Sequence, residues 1–207
     1  MDPFEPRAEP SEAAEAPFPG RPSTDWSSAL PAAARDVEDF LAETGWDQPP
    51  WLFALVPTAR LLDAEPGLAD RLAAAQGLTP VAQEPLDEQD LAETLAGICW
   101  PETVTGCALA QEIVVLPPDA EADLDDVVTE ARAKGLSGAE LDQFTVRAAQ
   151  GHPDRREARL VVAVLRAGDH CCLMRLRGVG EAPDEVVEHP DLAPHLVSAL
   201  LRTLDPD

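Results

Sequence analysis

Apolar residues recur at helical spacing from about Ser28 to Thr44, where Leu30, Ala33, Ala34, Val37, Phe40 and Leu41 form one stripe. Pro31 is tolerated in the first turn of such a helix, and Gly45 supplies a left-handed stop. After a turn at 46–50, Trp51 to Val56 reads as a short buried strand bounded by prolines, and Thr58 is placed to cap a helical segment toward Leu62. A further helix is predicted after Pro66, with Leu68, Leu72 and Ala75 on one side. Another is predicted from Asp87, with Leu91, Leu95 and Ile98 as its buried stripe and Asp90 in the favourable first turn.

From Thr103 to Leu116 the period changes to two. Cys107, Leu109, Gln111, Ile113 and Val115 fall on one side of a strand, with Ala108, Ala110, Glu112, Val114 and Leu116 on the other, until Pro117 and Pro118 end it. Helical spacing returns after Asp123 in Leu124, Val127, Val128 and Ala131. Ser137 followed by Glu140 has the form of a capping box ahead of Leu141, Phe144 and Ala148. Two β-rich runs between Glu157 and Arg177 then flank Ala167, Gly168 and Asp169, which predicts a hairpin. A three-residue loop sets Val164, Val162 and Leu160 opposite Cys172, Met174 and Leu176, giving one wholly apolar face; a two-residue loop would place Leu160 against Arg175. The other face then carries Arg159, Arg175 and Arg177 beside Val161, Ala163, Leu165, Cys171 and Leu173, and looks outward from the packed interior. Asp191 is placed to cap a last helix bearing Leu192, Leu196, Ala199, Leu200 and Thr203 on one side.

Strand runs interrupted by helices of unequal length, with one hairpin, predict an α+β fold: an antiparallel or mixed sheet of about four strands packed by helices. At 207 residues and 45% apolar content the chain can bury one core, so a single domain over residues 25–207 is expected. Residues 1–24 hold six prolines among Ala, Glu and Ser and predict a disordered acidic tail, because such a segment buries too little surface to offset the entropy of ordering.

Charge narrows the function classes. The formal net charge is −24; no Lys or Arg occurs from Leu72 to Ala131, whereas Arg155, Arg156, Arg159, Arg166, Arg175 and Arg177 crowd one stretch. Nucleic acid is excluded as a partner, since phosphate binding needs a continuous cationic track. The apolar runs fall far short of the roughly 18 residues of a membrane-spanning helix, and Met1 to Arg21 lacks the basic start and apolar centre of a signal peptide. A cytoplasmic location is therefore expected, and Cys99, Cys107, Cys171 and Cys172, with no C-x-x-C pair among them, are expected to be reduced and to form no metal site. No Gly-rich phosphate loop follows a strand, so no nucleotide cofactor is expected.

Arg159, Arg175 and Arg177 are the candidate binding residues, because planar guanidinium groups projecting from neighbouring strands can grip a carboxylate or phosphate in a forked geometry. The competing reading is that they pair with the protein's own carboxylates or lie over the apolar sheet with wet heads. Asp119, Glu121, Asp123, Asp125 and Glu130 follow the spacing of a calcium loop, but Leu124 stands where the sharp turn requires Gly. His170 beside Cys171 suggests a nucleophile, yet adjacent strand residues diverge. His152, His189 and His195 show no metal-ligand spacing, and Trp46, Trp51 and Trp100 sit at loop and strand boundaries where a ring closes a core edge.

The stretches DVEDFLAETGWDQPPWLFALVPT, LAGICWPETVTGCALAQEIVVLPP, HPDRREARLVVAVLRAGDHCCLMRLR and DLAPHLVSALLRTL resemble a family of small acidic actinobacterial proteins of unknown function, over about residues 28–204. That resemblance implies a cytoplasmic protein and carries over no catalytic or binding residue. The expectation is a non-catalytic interaction protein that engages a protein partner, or a second copy as a homodimer, through the arginine-bearing sheet face. The alternative is a binder of a small anionic ligand, or an enzyme, with a pocket between helices and sheet.

Overall fold

The computed structural model describes residues 25–75, 77–87 and 91–205; the tail expected over 1–24 lies outside them. Six strands form: β1 (Trp51–Pro57), β2 (Leu78–Pro85), β3 (Gly106–Val115), β4 (Arg156–Leu165), β5 (His170–Leu176) and β6 (Glu185–Glu188). They make one sheet in the spatial order β2-β1-β3-β4-β5-β6, and every neighbouring pair is antiparallel. The helices are α1 (Leu30–Thr44), α2 (Thr58–Ala64), α3 (Leu91–Ala96), α4 (Pro118–Ala133), α5 (Ala139–Gly151) and α6 (Pro194–Leu204).

The sheet is covered on both faces, and the strand period decides which side chain goes where. Ala108 and Ala110 of β3 with Val161, Ala163 and Leu165 of β4 pack under the Leu30, Ala33, Ala34, Val37 and Leu41 stripe of α1. Cys107 and Leu109 with Leu160, Val162 and Val164 pack under Val197, Leu200 and Leu204 of α6 and Leu95 of α3. The central strand β4 is therefore buried continuously from Ala158 to Leu165 and shows an unbroken apolar run apart from Arg159. Each such Val or Leu contributes about 1.5–3 kcal/mol by leaving water.

The sheet has six strands rather than about four. The two missed strands are its edges: β2 contains Pro80 and Pro85, and β6 is Glu-Val-Val-Glu with three of its four residues exposed. Proline lacks a ladder donor and is accommodated at an edge, which obscures the strand signal. The helix expected after Pro66 is a single 3₁₀ turn, Pro66–Leu68, followed by turns. The cap expected from Thr58 does not form, since its hydroxyl bonds Thr79 Oγ1 at 2.9 Å across β1 and β2. Nor does the Ser137 capping box, because Gly138 at φ 54° is the residue preceding α5. Asp191 lies in a 3₁₀ turn, Pro190–Leu192, and α6 starts at Pro194 without a side-chain cap. α4 begins at Pro118, well before Asp123.

The β4–β5 hairpin forms around a turn centred one residue earlier than expected, on Ala167 rather than Gly168. Leu165 N–H donates to Asp169 O at 2.8 Å, and Val164, Val162 and Leu160 lie opposite His170, Cys172 and Met174. This is two residues away from the predicted register. A slip of two preserves the face of every side chain, so Arg159, Arg175 and Arg177 still share one side.

Candidate functional site

The shared side of those arginines is the side that α1 covers, which corrects the expectation that it looks outward. Arg159 is 2% exposed and lies directly opposite Arg175 on β5 and Glu112 on β3. Two like charges facing each other in a sheet require a counter-charge, and α1 supplies it. Glu38, also 2% exposed, takes both Nε and Nη2 of Arg175 on its two carboxylate oxygens, and its Oε1 lies 3.5 Å from Arg159 Nη1. The hydrogen bonds Arg175 donates to Glu38 raise its pKa above the ordinary value. Arg159 is completed by Glu112 Oε1 at 3.2 Å and by the carbonyl of Gly45 at the end of α1.

The turn after α1 closes the network. Asp47 adopts φ 66°, and the amides of Asp47 and Gln48 donate to the two oxygens of Glu112 at 2.9 and 3.2 Å. Two guanidinium groups lie over the Trp46 ring, Arg159 at 4.9 Å and Arg177 at 5.3 Å from its centre. Stacking on an indole face orients a guanidinium without consuming its in-plane donors. Arg177 pairs with Glu157, its register partner, at 2.5 Å, with Asp47 further off at 3.9 Å. The three predicted residues thus form a ladder whose inner members, Arg159 and Arg175, are paired within the protein, and whose outer member reaches the surface.

At that outer end lies a cleft of about 320 Å³ lined by Arg155, Arg156, Glu157, Arg177 and the Gly178–Gly180 loop. Arg156 donates to the Arg177 carbonyl at 3.4 Å and has Glu185 at 3.9 Å, too distant to neutralise it fully. Arg155 is exposed and has no ion-pair partner among the described residues. Val179, at the tip of the loop, is 72% exposed. The loop passes so close to itself that a Cβ on Gly178 would collide with Ala182 O, and Asp184 accepts the Gly178 amide at 2.8 Å. Arg155 and Arg156 belong to the arginine-rich run visible in the sequence; only their position beyond the hairpin end separates them from Arg159 and Arg175.

The remaining candidates are placed differently. Asp119, Glu121, Asp123, Asp125 and Glu130 lie exposed on α4, a continuous helix that cannot wrap a calcium ion, and no group of three or more His, Cys, Asp or Glu suited to a metal occurs among the described residues. Cys171 and His170 border a largely apolar cleft of about 340 Å³ with Cys172 and His189. Burial pushes the Cys171 thiol up to about 12, so it is no thiolate at neutral pH, and Cys107 is likewise pushed up to about 11. Trp100 donates its Nε1–H to Thr203 Oγ1 at 3.1 Å, whereas Trp51 Nε1 is buried beside Phe40 and Phe53 without a hydrogen-bond partner among the described residues.

Arg166 escaped the sequence reading. From the β4–β5 turn it donates to the carbonyls of Val104 at 2.8 Å, Trp100 at 2.8 Å and Pro101 at 2.9 Å, and to that of Leu204. A turn arginine has no periodic signature, so no pattern could single it out.

No helix among the described residues is long and apolar enough to cross a membrane. No curated protein and no solved structure matches the chain. Residues 30–205 match the model of the PPA1309-like protein family. That span takes in both covered faces of the sheet, the Glu38 network and the arginine cleft, and the chain belongs to the PPA1309-like family.

Proposed function

We propose that this protein is a non-catalytic interaction protein that receives a carboxylate-bearing segment of a protein partner at the cleft formed by Arg155, Arg156 and Arg177. One observation carries this reading: Arg155 has no ion-pair partner among the described residues and stands beside Arg177, whose guanidinium is oriented by Trp46. The buried pair Arg159 and Arg175 serves as the support that fixes the ladder rather than as the contact. Exposed ion pairs formed by mobile side chains contribute about 0–1 kcal/mol, so prior orientation is what makes a surface arginine a useful receptor. Val179 adds the apolar contact that accompanies arginine at interfaces.

The net charge of −24 repels an acidic partner at long range. At physiological salt that repulsion is screened within about 8 Å, while contacts inside the cleft act at hydrogen-bond distance. A small anionic ligand is the second reading, favoured by the concavity of the cleft, about 320 Å³. A fluorescent hexaglutamate peptide and inorganic phosphate, titrated separately into the full chain and into its Arg155→Glu variant, discriminate the readings. Peptide binding that weakens at least five-fold in the variant supports the first, and phosphate binding alone supports the second. Absence of both, at physiological salt and with the fold intact, rejects the cleft as a receptor.

A further inference from the structure

We infer that the chain's own acidic N-terminal segment, residues 2–15, occupies the arginine cleft and competes with the partner's acidic segment there. The inference rests on the reading of the cleft as a carboxylate receptor and adds a regulator to it.

Three observations converge. The first is chemical complementarity: residues 2–15 contain Asp2, Glu5, Glu9, Glu12 and Glu15 against a single Arg7, and the cleft presents Arg155, Arg156 and Arg177. The second is the place of attachment. Asp25 and Trp26, where the described chain begins, line a cleft with Leu165, Arg166 and Asp169 at the turn end of the β4–β5 hairpin. Trp26 packs against the α1-side core, on the face where the arginine ladder runs. The third is reach. The cleft lies at the other end of β4, a strand of ten residues that spans about 33 Å. The thirteen residue-to-residue steps from Glu12 to Asp25 extend to at most about 43–47 Å, so Glu12, Glu9 and Glu5 all reach the cleft with slack.

Tethering changes what a weak contact can do. A segment held this way competes at an effective concentration of order millimolar, so an intrinsic dissociation constant in that range suffices to occupy the cleft about half the time. A partner must then displace the segment, and its apparent affinity falls by the fraction of cleft left open. Modification or partner capture of the N-terminal segment would open the site without any change in the folded core.

The test keeps the full chain and neutralises the segment by Glu5→Gln, Glu9→Gln, Glu12→Gln and Glu15→Gln together. Two readouts are taken against wild type: the backbone amide resonances of Val179 and Gly180, and the affinity for fluorescent hexaglutamate peptide. Displaced Val179 and Gly180 resonances, together with peptide binding about two-fold tighter in the neutralised chain, are expected. Adding Arg155→Glu to the neutralised chain should remove that gain. Identical resonances and equal peptide affinity would overturn the tail as occupant while leaving the receptor reading in place. If neither chain binds peptide the receptor reading fails, and unchanged resonances would then dispose of the tail contact as well.

Discussion

Glu38 and Arg175, separated by 137 residues, meet as a two-pronged ion pair in which Nε and Nη2 of the arginine donate to the two oxygens of the carboxylate. Because Arg159 also faces that carboxylate from within the core, Glu38 is the counter-charge for two cations rather than one.

Replacing Glu38 by Ala should therefore destabilise the fold by about 3–5 kcal/mol, since it leaves buried Arg159 without its α1 partner. Urea unfolding measures this. Arg175→Ala should cost less, as Arg175 is 22% exposed and water replaces part of what is lost. The double variant should fall short of the sum, because both changes delete one contact. Additive losses would show that the pair is not coupled.

Arg166→Lys keeps the charge but cannot span the four carbonyls that bind the guanidinium at residues 100, 101, 104 and 204. A loss of about 2–3 kcal/mol is expected, on the scale of one or two hydrogen bonds to a charged donor. Hydrogen exchange should accelerate first at the end of α6, whose last carbonyl is among those released.

The thiols report burial directly. Cys99 is exposed, whereas Cys107 and Cys171 are pushed up to about 11 and about 12 by burial. A disulfide reagent at pH 8 should modify Cys99 rapidly and Cys107 and Cys171 only on unfolding. Raised folded-state values mean that the unfolded chain loses these protons first as pH climbs. Their contribution to stability is therefore fully present below about pH 9 and is lost as the pH rises through about 11 to 12. Alkaline unfolding monitored by circular dichroism should shift upward in pH when Cys171 is replaced by Ser.

Gly178→Ala should remodel the cleft loop, because the added methyl meets Ala182 O and lies 2.9 Å from Pro183 C. Gly180→Ala meets nothing within 4 Å and bears only the strain of φ 65°, about 1–2 kcal/mol. Amide shifts across residues 178–184 should therefore change widely for the first and locally for the second.

The alternation in β3 and in the hairpin assigned faces correctly because a period of two survives errors of register, as the two-residue slip between β4 and β5 demonstrates. The covering of the arginine face was legible in one position that the sequence reading passed over. Glu38 stands four residues after Ala34 and three before Leu41, on the core stripe of α1, where a carboxylate requires a buried cation. β2 and β6 were hidden for the opposite reason: half-exposed edges carry prolines and glutamates, so neither shows the apolar alternation of an interior strand. The involvement of Trp46 depends on the positive φ of Asp47 and on pairing between distant segments, which local spacing does not encode.

Those same edges shape how molecules meet one another in a crowded solution. At one border β2 carries Pro80 and Pro85, which lack amide hydrogens, and at the other β6 is only four residues long and bears the ion-paired, charged side chains of Glu185 and Glu188. Sheet-to-sheet growth into filaments is thus discouraged at both ends.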